Sequence, residues 1–263
     1  MIDIHSHILP GVDDGAVDLA ESLAMARLAV GRGTTVQFAT PHVTNRMEFA
    51  LAASVETRLA DLQAVFDQEA IPLRLAPGAE VYPMEGLAQA VAEGAPLTLA
   101  HGGRYLLLDS PFSSLPMGLG QMIYLLKTRG VTPILAHPER VMPIQQNPQV
   151  LEEYVHNGLL LQINTSSVMG RHGEEAQAAA HVLLRHQWVH FLASDSHGAR
   201  ARRPGLADAA AELAATYGQP LVDTLTQENG RHVLDGTPIA TTPLPYTPPK
   251  KKSSWFGRMF GRE

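Results

Sequence analysis

Short apolar runs alternate along the chain with longer stretches whose apolar positions recur every three to four residues. That alternation is the pattern of repeated strand-then-helix units. The short runs predict strands over 2–4, 34–39, 73–79, 105–108, 132–136, 159–163 and 189–193. The periodic stretches predict helices over 17–32, 52–70, 85–92, 117–129, 148–157, 174–186, 206–217 and 221–228. Gly33, Gly130, Gly158 and Gly218 stand just past helical stretches, where a residue without Cβ closes a helix most easily. Seven such units imply an α/β fold with a parallel sheet. Closed on itself, that sheet is a distorted, TIM-like (β/α)7 barrel, one strand short of the eight-stranded form.

The pattern ends near residue 236. Residues 237–249 are too rich in proline to pack and read as an extended linker, leaving a single domain over 1–236 and a flexible tail over 250–263. No apolar stretch approaches the roughly 18 residues of a membrane span, and the start lacks the basic and apolar regions of a secretory signal. A cytoplasmic protein is expected.

The net charge of −6 divides unevenly. Three of the four lysines, Lys250, Lys251 and Lys252, lie in the tail with Arg258 and Arg262 against Glu263, leaving 15 bases and 25 acids in residues 1–249. So acidic a body repels a phosphate backbone, which argues against nucleic acid as a partner. The tail is basic and aromatic, with Trp255, Phe256, Met259 and Phe260 on one side of a helical projection. Such a segment suits peripheral association with an anionic membrane surface.

The chain has no cysteine and twelve histidines. Disulfides, thiolate metal sites and nucleophilic catalysis through sulfur are excluded. Histidine and carboxylate remain, the ligands of borderline and hard divalent metals. Six of the seven strands run into such a residue: His5 and His7 with Asp14 in the following loop, His42, Glu80, Asp109, His137, and Asp195 with His197. Strand six ends in Asn164. In a parallel barrel these ends share one face, where active sites of that architecture sit. A single histidine after a strand is usually a capping residue; five of them at the same end point to metal. The other seven, His101, His156, His172, His181, His186, His190 and His232, fall in helices, loops or strand starts and need no chemistry. Lys127, which would have to be carboxylated in an amidohydrolase-type site, falls inside a helix.

His5-Ser6-His7, Asp14, Thr40-Pro41-His42, Gly78-Ala79-Glu80, Ala136-His137-Pro138-Glu139-Arg140 and Ser194-Asp195-Ser196-His197 follow an order and spacing that resembles the polymerase-and-histidinol-phosphatase (PHP) superfamily. Within it the chain is most similar to the bacterial metal-dependent protein-tyrosine phosphatases of capsular and exopolysaccharide synthesis, the CpsB/CapC type. The resemblance covers residues 1 to about 236. It departs at Asp109, where a glutamate is usual, at Ser6, often a cysteine, and at Glu228-Asn229-Gly230, where Asn-Pro is usual.

The resemblance implies a three-metal site: His5, His7, Glu80 and Asp195 on one ion, Glu80, Asp109 and His137 on a second, and Asp14, His42 and His197 on a third. It implies Mn²⁺, with iron, cobalt or zinc as substitutes. It also implies Arg140 and Arg203 as phosphate-binding residues, although Arg200 and Arg202 lie close enough to compete with Arg203. The expected activity is phosphotyrosine hydrolysis on a bacterial tyrosine kinase. A PHP-type phosphatase for a small metabolite such as histidinol phosphate, a TatD-like nuclease and a membrane-docked module without turnover are the alternatives.

Overall fold

A computed structural model describes residues 1–248, apart from the side chains of 50 and 51. The strands are β1 (Ile2–Asp3), β2 (Val36–Ala39), β3 (His42–Val43), β4 (Arg74–Pro77), β5 (Glu80–Val81), β6 (Tyr105–Leu108), β7 (Thr132–Ala136), β8 (Leu160–Asn164) and β9 (Phe191–Ala193). The α-helices are α1 (Leu19–Gly31), α2 (Phe49–Gln68), α3 (Leu87–Ala92), α4 (Leu119–Lys127), α5 (Met142–Gln146), α6 (Glu152–His156), α7 (Thr165–Val168), α8 (Glu174–Arg185), α9 (Ala207–Tyr217), α10 (Gln219–Asp223) and α11 (Asn229–Asp235).

Every strand pairing is parallel. The ladders run β1-β2-β4 and β3-β5-β6-β7-β8-β9. A single parallel bridge joins Ser6 to Ser196, beyond the ends of β1 and β9.

Two expected strands are each followed by a second, short one that lies beyond the expected range. The run expected over 34–39 pairs as β2, and the chain pairs again at His42 after Thr40-Pro41; the run over 73–79 stops at Pro77 and resumes at Glu80. Proline has no N–H for the ladder, so the pairing breaks where Pro41 and Pro77 stand. Helix ends shift for local reasons. Asp18 accepts a hydrogen bond from Glu21 N at 2.9 Å, capping α1 and starting it at Leu19 instead of Val17. The helix expected over 148–157 begins as a 3-10 turn behind Asn147 and becomes α6 at Glu152. The one expected over 221–228 starts earlier, with Pro220 in its first turn, passes through a π-helical turn over Thr224–Glu228 and continues as α11.

Alternate strand residues enter different cores. Tyr105, Leu107, Ile134, Ala136, Leu160, Phe191 and Ala193 join Ile2, Ile4, Phe38 and Ala76 in one cluster. Their neighbours Leu106, Leu108, Leu135, Leu161, Ile163 and Leu192 pack in another, with residues of α4, α8 and α9. Burial on both faces explains why these strands read as unbroken apolar runs.

Residues 237–248 contain no helix or strand, yet the expectation that they would not pack is corrected. Trp188 is fully buried, and its indole N–H needs an acceptor. Leu244 O supplies it at 2.8 Å, and Leu244 N donates to His186 O at 2.9 Å. Tyr246 stacks on His186 with ring centroids 5.0 Å apart. The expected basic tail over 250–263 lies outside the described residues.

Candidate metal centre

Beyond β1 the chain stays extended through His7, and the period of two sends His5 and His7 to the same side. Both are buried, with their Nε2 atoms 3.2 Å apart. Each is fixed from behind. His5 Nδ1 pairs with Gln162 Oε1 at 2.9 Å, and His7 Nδ1 with Asp13 Oδ2 at 2.7 Å. With Nδ1 engaged from behind in each case, Nε2 is the nitrogen each ring turns inward toward a metal ion. His197 repeats the arrangement, with Nδ1 on the backbone oxygen of Asp195 at 3.1 Å and Nε2 buried without a hydrogen-bond partner.

The loop after His7 reaches Asp13 through a close approach. Ala16 N donates to His7 O at 3.0 Å, and a Cβ on Gly15 would fall on the His7 carbonyl and Cβ. Only glycine lets the loop fold back far enough for Asp13 to meet His7.

Glu80 is the centre. Its Oε2 lies 3.2 Å from His5 Nε2, 3.4 Å from His7 Nε2 and 3.0 Å from His42 Nδ1, while Oε1 lies 2.9 Å from His137 Nε2. Asp195 Oδ1 stands 3.6 Å from the Nε2 atoms of both His5 and His7. Asp109 approaches His137 at 3.7 Å, and Asp14 reaches His197 at 3.2 Å and His42 at 3.4 Å. All nine residues expected as ligands therefore meet in one cluster. Donor atoms of His7, Asp14, His42 and His197 lie within 4.8 Å of one another, as do those of His5, His7 and Glu80, and those of His42, Glu80 and Asp109.

The charges fit a cation. Burial alone would raise the Glu80 carboxyl, but His5, His137 and His42 around it carry it well below the usual carboxylate range. Burial would lower His7, yet Asp13 and Glu80 raise it to about 10. Glu80 and Asp195 move His5 up, and Glu80 and Asp109 do the same for His42. Asp109 goes the other way: burial and the neighbouring Glu80 charge raise it. Without positive charge the cluster draws protons instead. Glu80 Oε2 is buried with no hydrogen aimed at it, and a nitrogen and oxygen donor set of this kind suits manganese, iron, cobalt or zinc.

Two ligand candidates adopt the left-handed backbone region: His137 at φ 36° and Asp195 at φ 49°. Such conformations cost roughly 1–3 kcal/mol each and persist where the surroundings dictate them. Here they turn the side chains back toward Glu80.

Arg140 and Arg202 converge on Asp195, with Arg140 Nη1 3.2 Å from Oδ2 and Arg202 Nη2 2.6 Å from Oδ1. Arg203 is exposed. Of the arginines the sequence left competing, Arg202 is the one in contact with the cluster.

Several site residues carry no signal of their own in the sequence. Gln162 and Asn164 link two candidate ligands, His5 and Asp195: Gln162 Nε2 donates to Asn164 Oδ1 at 2.8 Å, and Asn164 Nδ2 donates to Asp195 Oδ2 at 2.7 Å. Glu139 is fully buried behind His137, where its Oε1 accepts from Asn164 N at 3.0 Å and Ser167 Oγ at 2.6 Å. The alternation of strand residues could have flagged Gln162 and Asn164, since both fall on one side of β8.

The other histidines have ordinary partners. His101 pairs with Glu56, His156 with the Glu152 carbonyl, His181 with Tyr217 and His232 with Thr237. His190 Nδ1 accepts from Leu161 N at 3.1 Å. His172 meets Ser167 Oγ at 3.0 Å, one step behind Glu139. Lys127 closes α4 and donates to Asn157 O at 2.7 Å.

This geometry has counterparts among known proteins. The chain is 35% identical to the tyrosine-protein phosphatase YwqE of Bacillus subtilis (strain 168), over 98% of this chain and 99% of that one. A solved structure described as YwqE from Bacillus subtilis and CpsB from Streptococcus pneumoniae, "unique metal-dependent tyrosine phosphatases", matches with a TM-score of 0.87 and 34% identity, covering 94% of this chain and 100% of that chain. The phosphotriesterase homology protein from Escherichia coli is similar in fold, with a TM-score of 0.53 at 16% identity over 87% of this chain and 96% of that one. Residues 1–235 match the family described as "Capsular polysaccharide synthesis, CpsB/CapC". By that match and by its identity to YwqE along nearly its whole length, the chain belongs to the CpsB/CapC family.

Proposed function

We propose that the chain is a manganese-dependent protein-tyrosine phosphatase that removes phosphate from an autophosphorylated bacterial tyrosine kinase controlling capsule or exopolysaccharide synthesis. The observation that carries this reading is the convergence of nine nitrogen and oxygen donors with two arginines, in a chain without cysteine. The relatives' names give the substrate class.

His5, His7, Glu80 and Asp195, then Glu80, Asp109 and His137, then Asp14, His42 and His197 would hold up to three divalent ions. Bound there, the ions supply Lewis acidity, neutralising phosphoryl oxygens and making water acidic enough to act at neutral pH. The chain's own residues bind and orient. Arg140 and Arg202 clamp non-bridging phosphoryl oxygens through charge-assisted hydrogen bonds. Arg202 Nε is buried without an acceptor, which leaves a donor for that purpose. Arg203, exposed nearby, takes the outer position at the mouth. Gln162, Asp13 and Asn164 hold His5, His7 and Asp195 in place. A tyrosyl leaving group, with a parent pKa of about 10, needs less proton assistance than an alkoxide. No protein nucleophile is required.

The same reading takes the sheet as a closed, distorted (β/α)7 barrel, supported by the Ser6–Ser196 bridge and by one core cluster drawing on both ladders. It places the chain in the cytoplasm. No helix among the described residues is long and apolar enough to cross a membrane, and the basic residues of 250–263 would bring the body to an anionic bilayer. Deleting 250–263 should lower binding to anionic liposomes.

The decisive assay compares Mn²⁺-supported turnover of a tyrosine-phosphorylated peptide, histidinol phosphate and single-stranded DNA, with His42→Ala and His137→Ala as controls. Peptide turnover lost in both variants supports the proposal. Turnover of histidinol phosphate with the peptide untouched overturns it.

A further inference from the structure

Phe112 follows Asp109 in the loop after β6, 48% exposed although its side chain is a large apolar ring. Its ring stands edge-on to His137, with centroids 5.8 Å apart at 63°. The Arg140 guanidinium carbon lies 4.1 Å from the ring centroid. Among the described residues, Phe112 is the one phenyl, phenol or indole ring in ring contact with a candidate ligand. Its backbone is pinned as well, because Phe112 O accepts from Met142 N at 2.7 Å, across to the first residue of α5.

These contacts put an apolar ring beside the two groups between which a phosphoryl group would sit, the clamp arginine and a ligand histidine. A hydrophilic rim would serve an alkyl or sugar phosphate equally well. About half of the ring stays open to solvent there, so an apolar group packed on it would bury that surface. We propose that Phe112 is the specificity-determining residue for aryl phosphates: its open surface packs against the phenyl ring of the ester while Arg140, held against the same ring, engages the phosphoryl group. The inference rests on the phosphatase reading above and adds how the site tells a phenol ester from an alkyl ester. Offset or edge-to-face packing of two rings strengthens binding by roughly threefold to tenfold.

The test uses the full chain loaded with Mn²⁺ and two unreactive probes, phenylphosphonate and methylphosphonate, with affinities read by calorimetry. Phe112→Ala should weaken phenylphosphonate roughly threefold to tenfold and leave methylphosphonate within twofold. Phe112→Tyr should keep the preference, and unchanged methylphosphonate binding certifies that the variant is folded. If both probes weaken equally in Phe112→Ala, the ring acts only by holding Arg140, and the proposal falls. If neither weakens, it falls too. A wild-type chain that binds methylphosphonate without preferring the phenyl probe overturns this inference and leaves the phosphatase reading standing. A wild-type chain that binds neither overturns both.

Discussion

Replacing Gln162 with methionine tests whether the amide behind the cluster orients it. Gln162 is fully buried, accepts from His5 Nδ1 at 2.9 Å and donates to Asn164 Oδ1 at 2.8 Å. Asn164 in turn donates to Asp195 Oδ2 at 2.7 Å. One amide therefore ties two proposed ligands of one ion, fixing the His5 tautomer and the Asp195 rotamer together. Methionine fills nearly the same volume without either hydrogen bond, so the loss is of polar partners and not of packing. Two buried groups, His5 Nδ1–H and Asn164 Oδ1, are left without partners. At about 1–3 kcal/mol each, unfolding stability without metal should fall by about 2–6 kcal/mol. Loss of such an outer partner typically weakens metal affinity by about 10–100-fold. Denaturant unfolding in the presence of a chelator reads the first quantity, and competition with a calibrated chelator for Mn²⁺ reads the second. Gln162→Glu keeps an acceptor for His5 but offers Asn164 Oδ1 no donor, so its metal affinity should lie between wild type and Gln162→Met. Mn²⁺ affinity within twofold of wild type in Gln162→Met would refute the reasoning, even with stability lowered. The amide would then be a buried polar group satisfied by the site, without control over it.

Gly15→Ala should destabilise the loop by about 1–3 kcal/mol through overpacking and weaken Mn²⁺ binding, since the added Cβ displaces Asp13 from His7; thermal unfolding and chelator competition check it. Arg202→Ala should lower kcat/KM on an aryl phosphate by about tenfold or more, the loss of one charge-assisted contact, whereas Arg203→Ala should stay within about threefold, the scale of an exposed charge. Equal losses would return the inner clamp to Arg203. His190 gives a pH dependence. Burial pushes it down to about 4, below the unfolded value near 6.5, so below pH 6.5 the unfolded chain takes up a proton that the folded chain refuses. Stability contributed by this group is complete above pH 6.5 and falls by about 1.4 kcal/mol per pH unit toward pH 4, roughly 3 kcal/mol in all. Urea unfolding of wild type and His190→Asn at pH 7 and pH 5 should show a smaller pH effect in the variant.

The strand positions were legible because burial on both faces leaves continuous apolar runs, and the helix ends because Gly33, Gly130, Gly158 and Gly218 all take positive φ. The clustering of the candidate ligands was legible because they recur at one end of successive strands. What sits behind them was not. Asp13 and Asp14 are adjacent acids in one loop, and nothing in their order tells which backs His7 Nδ1 and which turns to His42 and His197; the fold back at Gly15 decides it. Gln162 and Asn164 ended the one strand without a candidate ligand, and an amide there looks like a gap in the pattern until its partners are seen. Arg202 and Arg203 differ by one residue, and the turn with Arg202 at φ 46° selects the inner one. The segment over 237–248 misled because its prolines speak only of its own backbone. Its anchoring depends on Trp188, some fifty residues earlier in sequence, whose indole N–H would be buried unsatisfied without Leu244 O.

The breaks in the strands and the site are one feature. β2 and β4 pair from Val36 with Arg74 to Ala39 with Pro77, and then the ladder lapses. After the lapse His42 pairs with Glu80, and Glu80 with Leu107. Had β2 and β4 run on without interruption, successive side chains would keep the period of two and continue the apolar layers on either face. Pro41 and Pro77 stand at the break in the ladder, and after two residues on each strand it resumes in the same register, with His42 opposite Glu80 where the apolar layer ends. Gly78 permits that step, because a Cβ there would stand 2.7 Å from Leu99 Cδ2 and 3.2 Å from the Thr40 methyl. Glu80 is thereby delivered, fully buried, to the point where His5, His7, His42 and His137 converge. A carboxylate buried so deeply is tolerated only because those four imidazoles compensate it, so fold and site each supply what the other needs: the interruption places the charge, and the charge requires the ligands.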